Sequence, residues 1–178
     1  MIGAGLVLGL IVCATAAVYV SAGLGKFAAP EHTRRAVREL FRLDEPTAHA
    51  AVRVLALVEL AAGAGLLVPA ARPAAAVAAG ALGLAFAAAG ALGRARGTAT
   101  PCGCFGRADS APLGLRSVVV GLALAAAALA VLGGASALTR PDLLPVGAAG
   151  LTVLLAAWTW RDIVRELIRP RPTPASDH

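Results

Sequence analysis

The sequence is poor in what a soluble enzyme is built from. Aromatic residues make up 4% of it, charged residues 15%, and there is one methionine. Polar positions are too sparse to give the regular apolar–polar alternation of a soluble domain. Three cysteines are too few for a disulfide framework. Acids are also short, 10 against 16 Lys and Arg, leaving a net charge of +6. A basic chain can signal nucleic acid, but here the bases flank apolar runs. That placement fits orientation in a membrane with anionic headgroups, and nucleic acid is not expected as a partner.

What is present is mostly Ala, Leu, Val and Gly. The 178 residues are 58% hydrophobic, with mean hydropathy +0.78. Several apolar runs approach or exceed the roughly 18–20 residues that cross a bilayer as a helix. The chain therefore reads as all-α: a polytopic membrane helical bundle forming one domain over 1–169. About five spanning helices are expected, near 2–25, 47–68, 74–93, 115–132 and 143–160. A Pro-rich tail, 170–178, is expected to be disordered. The lipid bilayer of a bacterial-type plasma membrane is the expected setting.

In chain order, the first run has no Lys or Arg ahead of it, unlike a cleaved signal peptide, so it reads as a retained helix. Cys13 lies near its middle and reads as a small packing residue. Ser21, Gly23 and Lys26 close its far end. In the connection 26–49, Pro30 and Glu31 suit a helix's first turn. Val37, Leu40 and Phe41 then share a face, largely opposite Arg34, Arg35, Arg38 and Arg42. This predicts a short amphipathic helix on the membrane surface. Asp44 suits an N-cap, with Pro46 in the first turn of the next helix. That second run carries Glu59 deep among apolar residues, where an unpaired carboxylate costs about 3 kcal/mol or more. Glu59 is therefore expected to face the bundle interior, protonated or paired, and it is a candidate for proton handling or for a structural hydrogen bond. Pro69 to Pro73 makes a tight turn. The third run, almost all Ala, Gly and Leu, is expected at the centre of the bundle, because small residues let backbones approach.

The chemistry concentrates in Pro101-Cys102-Gly103-Cys104-Phe105-Gly106, a polar break between two apolar runs. Gly103 permits tight curvature and Pro101 fixes the entry angle. Two thiols so placed can exchange with a partner's disulfide or close a strained ring of their own, and strained or exposed disulfides are the labile kind. Nearby Arg94, Arg96 and Arg107 favour the thiolate.

Five crossings put connection 26–49, the cysteine loop and the C-terminus on one side, with 14 of the 16 Lys and Arg. Arg72 and Arg140 fall on the other. The positive-inside rule makes the cysteine side cytoplasmic. Stable disulfides are mostly made outside that compartment, whereas a cycling dithiol is allowed within it. Lys26 belongs to the same half of the bundle as the cysteine loop. Lys26 ends the first run there. Glu59, roughly 12 positions into the second, is up to about 18 Å away along a helix axis, a gap that helix tilt or an inward-reaching lysine could narrow.

Three stretches taken together resemble the MauE family of methylamine-utilisation membrane proteins, within the broader DoxX-like group. They are Ser21-Ala22-Gly23-Leu24-Gly25-Lys26-Phe27, Val58-Glu59-Leu60 and Pro101 to Gly106, the last being the most specific. The resemblance covers most of the first four runs and implies a four-helix DoxX-like core, with the fifth helix added. It also implies a thiol–disulfide role for Cys102 and Cys104 beside a thioredoxin-like partner, in the maturation of exported disulfide-rich proteins.

The leading expectation is thus a membrane thiol–disulfide redox protein. Cys102 and Cys104 would exchange, Glu59 and Lys26 would lie in the supporting site, and a bilayer quinone is a candidate electron acceptor. Four-cysteine membrane oxidases carry a second reactive pair that this chain lacks, so an accessory role ranks equal to full turnover. One alternative is Cu(I) or zinc on Cys102 and Cys104, with His32 and His49 as the added ligands at hand. A membrane scaffold without chemistry of its own is the other.

Overall fold

The computed structural model describes residues 2–97 and 114–134, all in helices and the short turns between them. The helices are α1 (Ile2–Ala28), α2 (Pro30–Phe41), α3 (Glu45–Leu67), α4 (Arg72–Ala95) and α5 (Leu115–Gly133). Four of them, all but α2, are long and apolar enough to cross a membrane. The expected fifth crossing at 143–160, the tail and the cysteine loop lie outside the described residues.

Local chemistry explains the boundaries. Pro30 and Glu31 open α2, as expected, and Arg42 closes it in the left-handed region (φ 54°). Asp44 stands at the N-cap position of α3, with Pro46 in its first turn, and its carbonyl accepts the Ala48 N–H at 3.0 Å. The turn at the other end is tight. Val68 O accepts the N–H groups of both Ala71 and Arg72, while Arg72 Nε donates to Leu66 O at 2.9 Å.

The long helices form a ring in which α1 packs on α3 and α5, and α4 packs on α3 and α5. Two pairs within it are joined at close backbone range. A Cβ on Gly23 would stand 2.9 Å from Ala56 O, and one on Gly63 3.0 Å from Ala16 O, so α1 and α3 touch through their main chains. Gly83, Gly90 and Gly121 do the same for α4 and α5: a Cβ on Gly121 would lie 2.5 Å from both Ala87 N and Gly83 O. Such approaches supply van der Waals contact where lipid offers no hydrophobic drive to associate. Between the pairs, the core is filled by Leu8, Val12, Tyr19, Leu66, Ala76, Ala79, Leu82 and Val131, among others.

The expectation that the third run occupies the centre needs correction. In α1, 61% of the apolar stretch is buried, against 39% in α4. The small residues of α4 serve its close pairing with α5, and its outer side, with Val77 and Leu84, is exposed.

α2 also differs in detail from its expected form. It is amphipathic, but Thr33, Ala36 and Leu40 are its buried residues, while Phe41 is 57% exposed. Ala36 and Thr33 are small enough to let α2 lie against α3, so they take the inward positions. Charged residues hold α2 in place. Glu45, in the first turn of α3, takes Arg38 at 2.6 Å and Arg34 at 3.3 Å, and Arg34 also pairs with Glu31. Arg96, just past α4, donates to Leu40 O in the last turn of α2, where a cation is favoured by the helix dipole.

Candidate functional site

The site starts from the α1–α3 glycine contacts. Gly23 faces α3 between Ala56 and Leu60, and Gly63 faces α1 between Ala16 and Val20. The two helices are therefore antiparallel, and Lys26 is level with about residue 55 of α3. Glu59 lies roughly four residues deeper, an axial offset of about 6 Å. Side chains on a helix lean toward its N-terminus. In an antiparallel pair this sends Lys26 inward along α1 and Glu59 outward along α3, so the two converge.

They meet. Lys26 Nζ donates to Glu59 Oε1 at 2.7 Å and Oε2 at 2.9 Å. Lys26 is 2% exposed and Glu59 is fully buried. The expected gap of up to about 18 Å is thereby corrected. It assumed helix ends at one level, whereas α3 begins about two turns beyond the end of α1, and α2 packs against this overhang. Of the two states expected for Glu59, it is the paired one that the structure holds.

A third helix completes the pocket around the cation. The Lys26 ammonium stands 5.5 Å from the centroid of the Phe86 ring on α4, within the range of a cation–π attraction. One short stretch of the bundle thus gathers an ammonium from α1, a carboxylate from α3 and an aromatic face from α4. Tyr19 adds a second polar tie across the bundle, its hydroxyl donating to Ala79 O of α4 at 2.6 Å. Among the described residues, every buried side-chain nitrogen and oxygen has a partner.

Phe86 and Tyr19 were not singled out from the sequence. Phe86 could have been, as the lone aromatic in an otherwise Ala, Gly and Leu helix. Cys13 is buried, and its thiol donates to Gly9 O at 2.6 Å, one turn back in its own helix, in keeping with a packing residue. Arg96, expected to assist the thiolate, spends at least one guanidinium nitrogen on Leu40 O. Cys102, Cys104 and Arg107 lie outside the described residues. His32 and His49 do not join any group of three or more potential metal ligands among the described residues.

The match that decides the family covers most of the chain. The family described as Methylamine utilisation protein MauE fits residues 4–139. The chain belongs to the MauE family. The matched region takes in Lys26, Glu59 and Phe86 as well as Cys102 and Cys104. Neither a curated protein nor a solved structure matches the chain. With its four long apolar helices, this MauE-family chain is a multi-pass membrane protein.

Chemically, the buried pair can exist as ammonium and carboxylate or, with one proton passed between them, as amine and carboxylic acid. Both forms are neutral overall, so the pair can sit in the bundle without net charge. Removing one member leaves the other uncompensated, at about 3–5 kcal/mol.

Proposed function

We propose that this MauE-family protein is a membrane thiol–disulfide redox protein acting with a thioredoxin-like partner. The observation that carries this reading is the Cys102-Gly103-Cys104 pair. It falls within the family match and in the connection between α4 and α5, the same end of the bundle at which α2 docks. In the exchange, a thiolate on Cys102 or Cys104 attacks a partner disulfide and one partner thiolate leaves. The second cysteine then resolves the mixed disulfide. The chain ends with Cys102 and Cys104 joined and the partner with two thiols; disulfide formation in the partner is the reverse. A bilayer quinone is the acceptor class that can reoxidise a dithiol, taking two electrons and two protons to become a quinol.

Lys26 and Glu59 supply the supporting site in this reading. Their pair gives the bundle a proton that can pass between ammonium and carboxylate with no change in net charge, held where thiol or quinone chemistry could draw on it. The end that carries α2 and the cysteine connection faces the cytoplasm of a bacterial-type cell, on the strength of the Lys and Arg distribution.

The test is a thiol count on the purified protein in detergent, before and after reductant, with metal analysis on the same sample. Two additional thiols after reduction support the redox reading. Stoichiometric copper or zinc, with no change in thiols, would replace it by metal binding. Neither result, together with normal function of a Cys102→Ser, Cys104→Ser double variant, would leave a scaffold.

A further inference from the structure

We infer that α3 carries a binding site for one anionic phospholipid, with Arg53 holding the headgroup phosphate. The site is independent of the thiol chemistry. Arg53, Val54, Leu57 and Val58 all lie on the exposed side of α3. The three apolar residues are 59%, 58% and 40% exposed, respectively. Spacings of one, four and five residues put all four on one helix face. On the deeper side of Arg53, its neighbours along that stripe are exposed apolar residues.

The depth of Arg53 fits a headgroup. By the glycine register it is level with the end of α1, where the chain leaves the bundle's apolar layer for α2. Its side chain leans toward the start of α3, that is, outward, as a snorkelling arginine must. Phe27, the next-to-last residue of α1, is 48% exposed and stands at the same level, the position at which aromatic rings border a bilayer's polar layer. The stripe on α3 thus has a cation at the top and branched aliphatics below. This matches the order of phosphate and acyl chain in a phospholipid.

Charge selects the headgroup. Among the described residues this end of the bundle carries nine Lys and Arg against five acids. Of those acids, Glu59 is taken by Lys26 and Glu45 by Arg34 and Arg38. A choline headgroup would bring its own cation into this excess, whereas a glycerol headgroup leaves the phosphate unopposed. Guanidinium suits phosphate through paired N–H donors.

The test uses the full chain reconstituted in nanodiscs of equal parts palmitoyl-oleoyl phosphatidylglycerol and phosphatidylcholine. Lipid retained on the released protein is identified by native mass spectrometry. Phosphatidylglycerol should be retained about fivefold over phosphatidylcholine, the scale of one arginine at an anionic surface. Arg53→Gln should abolish that preference and Arg53→Lys should keep most of it. Equal retention of both lipids by the wild type, or an unchanged preference in Arg53→Gln, overturns the site. A second readout leaves Arg53 in place and puts a photo-crosslinking residue at Val54. Capture of phosphatidylglycerol is the expected result. Preferential capture of phosphatidylcholine, another protein or a second copy of the chain overturns the inference.

Discussion

Lys26 and Glu59 are 33 residues apart in the chain, yet one ammonium meets both oxygens of one carboxylate inside the bundle. The contact exists because α1 and α3 approach at glycines and because each side chain leans toward the N-terminus of its own helix. The pair therefore reports on the packing of the two helices as much as on any chemistry they perform.

Single and double replacements separate those two roles. Glu59→Ala or Lys26→Met should lower unfolding stability in detergent by about 3–5 kcal/mol, because each strands a buried charge. Replacing both together by apolar residues, Lys26→Met with Glu59→Leu, should recover most of that loss. Glu59→Gln keeps shape and hydrogen-bonding capacity but cannot give up a proton. It also removes the charge that balances Lys26, so some stability is lost here too. If the pair handles protons, the Gln protein that does fold has no redox turnover. A fully active Glu59→Gln protein would sink the proton-handling role.

The cysteines should divide cleanly by position. Cys102→Ser and Cys104→Ser should each abolish function, read by complementation, while the protein still inserts and folds. Cys13→Ser should be nearly silent, since a serine hydroxyl can donate to the Gly9 carbonyl as the Cys13 thiol does. Normal complementation by the Cys102→Ser, Cys104→Ser double variant would remove thiol exchange from the function.

The orientation proposed from the Lys and Arg distribution is open to direct labelling. A membrane-impermeant maleimide added to intact cells should leave reduced Cys102 and Cys104 unmodified until the membrane is broken. Labelling of intact cells would reverse the topology and bring the cysteines to the side where exported proteins acquire disulfides.

Backbone contact between α4 and α5 predicts an asymmetry among glycines. Gly121→Ala puts a Cβ 2.5 Å from Ala87 N and Gly83 O, so the helices must separate, at about 1–3 kcal/mol or more. Gly133→Ala meets nothing within 4 Å and should be neutral or raise stability by up to about 1 kcal/mol through helix propensity. Thermal unfolding of the two variants in the same detergent checks the contrast. Equal effects would mean that the two glycines are equally tolerant.

The positions of α1, α3, α4 and α5 were legible in the sequence because apolar runs of spanning length are bounded by Pro, Gly and charge. Their ends moved by two or three residues where polar residues such as Glu45 and Lys26 still extend a helix. Glu59 was legible as a buried acid, since nothing else explains a carboxylate among Val, Leu and Ala. Its partner was not. Pairing depends on the stagger of α3 against α1, which is set by α2 and by Gly23 and Gly63, and no local pattern encodes a stagger. Phe86 escaped for the same reason: its meaning comes from an ammonium three helices away in sequence. That Leu40 on α2 is buried with Thr33 and Ala36 while Phe41 stays exposed was not legible, because it depends on where α3 stands.

The main-chain fit of Gly83 and Gly121 has one more consequence. α4 and α5 hold each other along their lengths, so their association does not depend on the link between them. A protein translated as two pieces, broken between residues 97 and 114, should reassemble in the bilayer as a complementing pair. The same independence lets insertions and substitutions accumulate in that link without cost to the bundle. New reactivity can then be tried there while the scaffold is inherited unchanged.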